Sequence, residues 1–153
     1  MHVWPGDIDI FMEVNNGRYL TLMDFGRFDY FRRLGWQKKE GSTKWGGAVA
    51  GASIRYRKRL HLFQKFTMST RLVGLDERWW YFAHTIERQG NIHASALIRF
   101  AVTNEKGLVS TSEIEKSIGT EFGRKMPEWV KSWDESDQMR PWIPVSQTEE
   151  SKG

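Results

Sequence analysis

The sequence predicts an α+β fold in which one long apolar helix is wrapped by a curved antiparallel sheet. Two observations carry this. Apolar residues recur at helical spacing from about Gly17 to Leu34. After Gly46-Gly47 the apolar period changes from 3.6 to 2 and keeps that value through four segments. The order is thus a short strand, a long helix, then a meander of strands, and a helix this apolar needs a sheet to cover it.

The elements follow in chain order. Residues 2–8 read as a short strand, and 9–15 as a polar turn. Asn15 or Asn16 is an N-cap, since a short amide side chain can satisfy an open helix N–H. The helix then runs to Leu34 and stops at Gly35, a natural residue after a helix end. Leu20, Met23, Arg27, Tyr30, Phe31 and Leu34 share one face. Leu22, Phe25 and Phe28 extend the apolar surface until it is nearly all round, which predicts burial on several sides. Gly26 in the middle costs about 1 kcal/mol of helix propensity against alanine. Close approach of another backbone would account for it.

Four alternating segments follow. Ala48–Tyr56, Phe66–Leu72, Trp80–Ile86 and Ile92–Val102 each place every second apolar residue inward, as half-buried antiparallel strands do. Turns fall at Gln89-Gly90-Asn91 and at Asn104–Gly107, with a short last strand near Leu108–Ser110. Ser112–Gly119 and Pro127–Trp133 read as two short helices. One domain therefore occupies 1–111, a helical extension 112–145, and a polar, disordered tail 146–153.

Composition excludes several chemistries. There is no cysteine, so disulfides, thiolate catalysis and cysteine zinc sites are ruled out. The 4 histidines show no metal-ligand spacing, so no metal is expected. No apolar run is long enough to span a membrane. The first residues do not read as a signal peptide, so a cytoplasmic protein is expected. The net charge of +4 matters only where it clusters. The densest cluster is Arg55-Tyr56-Arg57-Lys58-Arg59; on a strand, Arg55, Arg57 and Arg59 share a face. It reads either as an anion-binding patch or as a solvated sheet edge.

The opening is the part richest in chemistry. Asp7, Asp9, Glu13, Asn15 and Asn16 fall within ten residues, immediately before the helix. Carboxylates and amide donors at a helix entrance suit acid/base or oxyanion chemistry.

Asp7-x-Asp9-x-x-x-Glu13-x-Asn15-Asn16-x-x-Tyr19, followed by Asp24-x-x-Arg27, resembles the signature of hotdog-fold acyl-CoA thioesterases of the 4-hydroxybenzoyl-CoA thioesterase-like group. Trp4-Pro5-x-Asp7-x-Asp9 and Arg71–Asp76 look closest to the branch containing thioesterase superfamily member six. The resemblance spans residue 3 to about 110. It implies hydrolysis of an acyl-CoA, with coenzyme A as part of the substrate and no retained cofactor. It also implies sheet-to-sheet pairing into a homodimer or dimer of dimers, with active sites at the interface. Asp9 matches the catalytic aspartate, as nucleophile or general base, with helix N-terminal amides as oxyanion hole. Asn15, Asn16, Glu13 and Asp24 are supporting positions, and Tyr19, Arg55, Arg57, Lys58 and Arg59 are the substrate-binding ones.

The blander readings are turn capping for Asp9, capping for the asparagines and an i,i+3 ion pair with Arg27 for Asp24. Asp7 reads as structural. Met12 stands where the signature has glycine, and Glu13 where it has histidine. Glu13 is expected to turn outward, to solvent or to an arginine. These departures keep a non-catalytic acyl- or CoA-binding protein on the same fold as the alternative. A nucleic-acid binder is disfavoured, because the charge is local and the aromatics fall on core-facing positions.

Overall fold

The computed structural model describes residues 1–35 and 45–142. The expected tail 146–153 and residues 143–145 of the extension lie outside the described residues.

The first expectation to fail is the strand over 2–8. Pro5–Asp7 forms a single 3-10 turn, and pairing is limited to isolated bridges, His2 with Lys65 and Ile8 with Val14. The reason is local. Proline fixes φ and lacks an N–H, while the Asp7 carboxylate accepts the Trp4 amide at 2.8 Å. That ring competes with strand pairing.

Helix α1 spans Asn16–Arg33. Asn15 is its N-cap, with Oδ1 accepting the Gly17 amide at 2.9 Å. Gly35 takes φ 82°, a conformation glycine adopts without strain. One face of α1 is buried, through Tyr19, Leu22, Met23, Arg27 and Phe31. Phe25 and Phe28 are exposed, so within one chain the helix is not buried all round. Gly26 does answer to a close approach, but of side chains. A Cβ there would lie 2.1 Å from Thr70 Oγ1.

Strands β1 (Gly46–Tyr56), β2 (Thr67–Leu75), β3 (Trp80–Arg88), β4 (Asn91–Asn104) and β5 (Gly107–Leu108) form one antiparallel sheet. Its order is β1-β4-β3-β2, with β5 on β4. The alternation holds where it counts. Trp80, Phe82, His84 and Ile86 point inward and are all but fully buried, as are Ala94, Ala96, Ile98 and Val102. They pack against α1 in two apolar clusters, one around Met23 and one around Phe31. At the usual ~25 cal/mol per Å² of buried apolar surface, these clusters are the main stabilising term.

The outer face is covered too. Helix α2 (Thr111–Ile118) is capped by Ser110 and ended by Gly119 at φ 72°. Helix α3 (Glu128–Met139) lays Val130 and Trp133 on Tyr81 and Leu97. Asp134 and Asp137 of α3 pair with Arg99 of β4 at 2.6 and 2.8 Å. Edge strand β1 is largely exposed, with a bulge between Val49 and Gly51.

Candidate active site

Two clefts flank α1, and they divide the expected site residues between them. The first, of about 450 Å³, lies at the helix N-terminus. It is lined by Asp9, Glu13, Asn16, Tyr19, Tyr56 and the run Arg57–Arg59, with Phe11 and Val14. The second, of about 440 Å³, lies beside the middle of the helix. Asp24 and Arg27 line it, with Phe28, Phe31, Trp45 and Phe100.

The first cleft is built by a tight turn. The Asp9 amide donates to the Glu13 carbonyl at 2.8 Å, and the Met12 amide returns to the Asp9 carbonyl at 3.1 Å. Asp9 Oδ1 accepts the Phe11 amide at 2.8 Å. One carboxylate oxygen is thus engaged by the turn, while Oδ2 carries no hydrogen bond among the described residues. Met12 takes φ 60°, the left-handed region that suits glycine, which gives a conformational reason for glycine in the resembled signature. Behind this turn Asp7 is buried. Its Oδ1 accepts Arg18 Nε at 2.5 Å and its carbonyl accepts the Asn15 amide, so Asp7 holds the turn onto the helix.

Helix amides facing the cleft are fewer than the sequence suggests. The Gly17 amide is taken by the Asn15 side chain and the Arg18 amide by the Asn15 carbonyl. The Asn16 amide is left without a hydrogen bond among the described residues. It sits at the positive end of the helix dipole.

The cationic side departs from expectation. Strand β1 ends at Tyr56, so Arg57 and Arg59 do not share a strand face with Arg55. Arg55 stays in the sheet opposite Ser95 and does not line the cleft. The chain leaves β1 because the Arg57 and Lys58 amides both donate to the His93 carbonyl. Arg57, Lys58 and Arg59 are all exposed. Lys58 Nζ donates to Asn91 Oδ1 at 2.7 Å. Glu13 pairs with Arg59 Nε at 3.0 Å, so it has turned to an arginine.

Two tyrosines close the cleft wall. Tyr19 is buried and meets Tyr56 edge-on, with centroids 5.3 Å apart. Burial pushes the Tyr19 phenol up to about 12, against the opposing pull of the Leu60 backbone, so it is neutral at pH 7. Tyr56 donates its hydroxyl to the Asn16 carbonyl at 3.0 Å. Sequence reasoning placed Tyr56 on the core-facing side, yet it is exposed and lines the cleft. Its neighbours in the cationic run were the available signal.

The second cleft hides a polar network. Arg27 is buried, and its Nη1 lies 3.0 Å from His84 Nε2. His84 Nδ1 lies 3.0 Å from Thr70 Oγ1, and Arg27 Nη2 pairs with Asp24. A guanidinium only donates, so Nε2 accepts and Nδ1 carries the proton toward Thr70. Burial, then the Arg27 charge, lowers the His84 pKa from 6.5 to about 3. Burial lowers Arg27 as well, with Asp24 opposing. Asp24 itself is exposed and separate from the Asp9 cleft.

Comparison with known proteins agrees with the fold. The family profile described as Thioesterase-like superfamily matches residues 3–133. The chain belongs to the thioesterase-like superfamily. The match runs past residue 110 and takes in α2 and half of α3. The enzyme class of this family is thioester hydrolysis. The chain is similar to Protein THEM6 of Xenopus laevis, 30% identical over 140 residues, covering 89% of this chain and 68% of the relative. It is also similar to the long-chain acyl-CoA thioesterase FadM of Escherichia coli, 25% identical over 122 residues, covering 72% and 88%. Among solved structures, the BH1999 gentisyl-coenzyme A thioesterase superposes with a TM-score of 0.67 at 20% identity, covering 77% and 96%. That likeness shows the hotdog fold. The chain spans about two-thirds of the length of its frog and fly THEM6 relatives.

Proposed function

We propose that this chain hydrolyses an acyl-CoA thioester to the free acid and coenzyme A, with the chemistry in the Asp9 cleft. The observation that carries this reading is the convergence of three groups in one space: the Asp9 carboxylate, the open Asn16 amide and the Arg57–Arg59 cations. A thioester carbonyl beside the Asn16 amide would be polarised by that N–H and by the helix dipole. Asp9 Oδ2 then takes a proton from water as hydroxide adds to the carbonyl. The tetrahedral adduct collapses, the C–S bond breaks, and the proton returns to the leaving thiolate. Attack by Asp9 itself, through an anhydride that water opens, balances equally. The cations would meet the phosphates of coenzyme A, which is substrate and not a retained cofactor. Similarity to relatives named for acyl-CoA and gentisyl-coenzyme A supports this substrate class.

We further propose self-association through β1. An exposed edge strand of 11 residues rich in glycine and alanine invites a second copy. A two-fold contact would set Gly46–Val49, at the mouth of the second cleft, beside the Asp9 cleft of the other copy. Sedimentation as a monomer at micromolar concentration would remove this assembly.

One observation favours the binding alternative. Asp9 Oδ1 is already committed to capping its own turn. A screen of acyl-CoAs of graded chain length, with free thiol as readout, separates the two. Turnover by the wild type and loss of about 100-fold or more in Asp9→Asn supports hydrolysis. Saturable acyl-CoA binding without thiol release supports the binder.

A further inference from the structure

Four large apolar residues project from two loops at one pole of the sheet. Ile10, Phe11 and Met12 form the tip of the Asp9 turn, and Phe63 the tip of the 61–64 turn. Trp4 lies beside them. All five are between 58% and 89% exposed. The loops are tied side by side. The Phe63 amide donates to the Val3 carbonyl, the Val3 amide to Gln64, and Glu13 bridges to His61.

The conformation makes these residues hard to dismiss as chance. Among the described residues, three non-glycine residues have positive φ. Met12 at 60° and Phe63 at 63° are two of them, and both sit at these tips. Glycine or asparagine would relieve the strain, and polar residues would suit the exposure. Both tips instead keep a bulky apolar side chain in a disfavoured backbone conformation.

We propose that this loop cluster docks the protein on an anionic lipid bilayer. Charge complementarity selects that occupant. Arg57 and Lys58 line the cleft that Phe11 walls, and Lys65 lies two residues after Phe63; all three are exposed and make no ion pair among the described residues. The nearby carboxylates are spent: Glu13 on Arg59, Asp7 on Arg18 and Asp9 partly on its own turn. Apolar tips beside unpaired cations match the acyl region and anionic headgroups of a lipid surface. Two copies meeting through this patch would instead bring cation against cation. The patch opens beside the Asp9 cleft, of which Phe11 is a wall, so an amphiphilic thioester could pass from the bilayer to the site. Docking itself does not depend on turnover and is read separately from it.

The test is co-sedimentation with phosphatidylcholine vesicles containing roughly 30% phosphatidylserine, against vesicles of phosphatidylcholine alone. The wild type is expected to bind the anionic vesicles, and to bind them less well as salt is raised. The double variant Met12→Gly, Phe63→Gly removes both side chains while suiting the backbone. It is expected to lose about 10-fold in vesicle binding, with a melting temperature equal to or above that of the wild type. Ile10→Ser, at an ordinary φ, is expected to lose binding in the same direction. Absence of wild-type binding, undiminished binding of these variants, or a lowered melting temperature in the double variant would overturn the proposal. So would a vesicle-free change in sedimentation from dimer to monomer, which would make the patch a contact between copies.

Discussion

The two clefts along α1 use the same residue types in opposite ways. At the helix N-terminus, half-buried carboxylates and exposed cations sit on turns, with Asp9 bonded to its own turn and Glu13 to Arg59. Beside the helix middle, a cation is sunk into the sheet and held by a histidine whose proton affinity burial lowers. The first arrangement leaves Asp9 Oδ2, Arg57 and Lys58 without an ion pair among the described residues and so available to a ligand. The second uses them up on each other. A charged side chain near a cleft is therefore not by itself a site, and what its atoms are already bonded to decides its use.

Replacing each aspartate in turn by asparagine separates the two clefts most strongly. Asp9→Asn should abolish turnover by about 100-fold or more, and Asp24→Asn should cost less than about threefold, with both proteins folded. Equal losses in thiol-release assays would merge the two clefts functionally.

Next in size is Arg27→Ala. It leaves His84 Nε2 without its donor in a buried site, and should cost about 2–3 kcal/mol in urea unfolding. Arg57→Ala, at the other cleft, should change stability by less than about 0.5 kcal/mol.

The histidine gives a pH signature. Its folded pKa, about 3, lies below the ordinary 6.5, so the unfolded state binds the proton first as pH falls. The stability it contributes is complete above about pH 7 and drains away as pH drops toward 3. Between pH 7.5 and 5 the loss should be about 2 kcal/mol, and His84→Gln should flatten that slope. An unchanged slope in His84→Gln would mean the ring is not the group responsible.

The smallest effect belongs to the cations. Arg57→Ala, Lys58→Ala and Arg59→Ala should each raise KM a few-fold with kcat little changed, since phosphate contacts hold in ground and transition states alike. Arg55→Ala, outside the cleft, should change neither parameter. A larger KM effect at Arg55 than at Arg57 would relocate the anion site.

Much of this was legible beforehand, because it is local. The 3.6-to-2 change of period, the Asn15 cap, the Gly35 stop and the hairpin at Gln89-Gly90 depend on residues a few positions apart. The Asp9–Asn16 cluster was legible for the same reason. The misreadings share the opposite cause. The strand over 2–8 yielded to Pro5 and the Asp7 side chain. The single face of Arg55, Arg57 and Arg59 vanished because the His93 carbonyl draws two successive amides out of register.

By itself, then, the sequence determined the long helix, the four long strands and the identity of the polar turn, since backbone propensity and apolar period are written within each segment. Only the tertiary structure decided that Arg27 meets a histidine 57 residues away, that Arg59 meets Glu13, and that Asp24 and Asp9 face different clefts. Those pairings depend on how β1, β3 and the Asp9 turn are brought against one helix. Burial then fixes which groups stay charged and which stay neutral, and neither packing nor desolvation is encoded in any short stretch of chain.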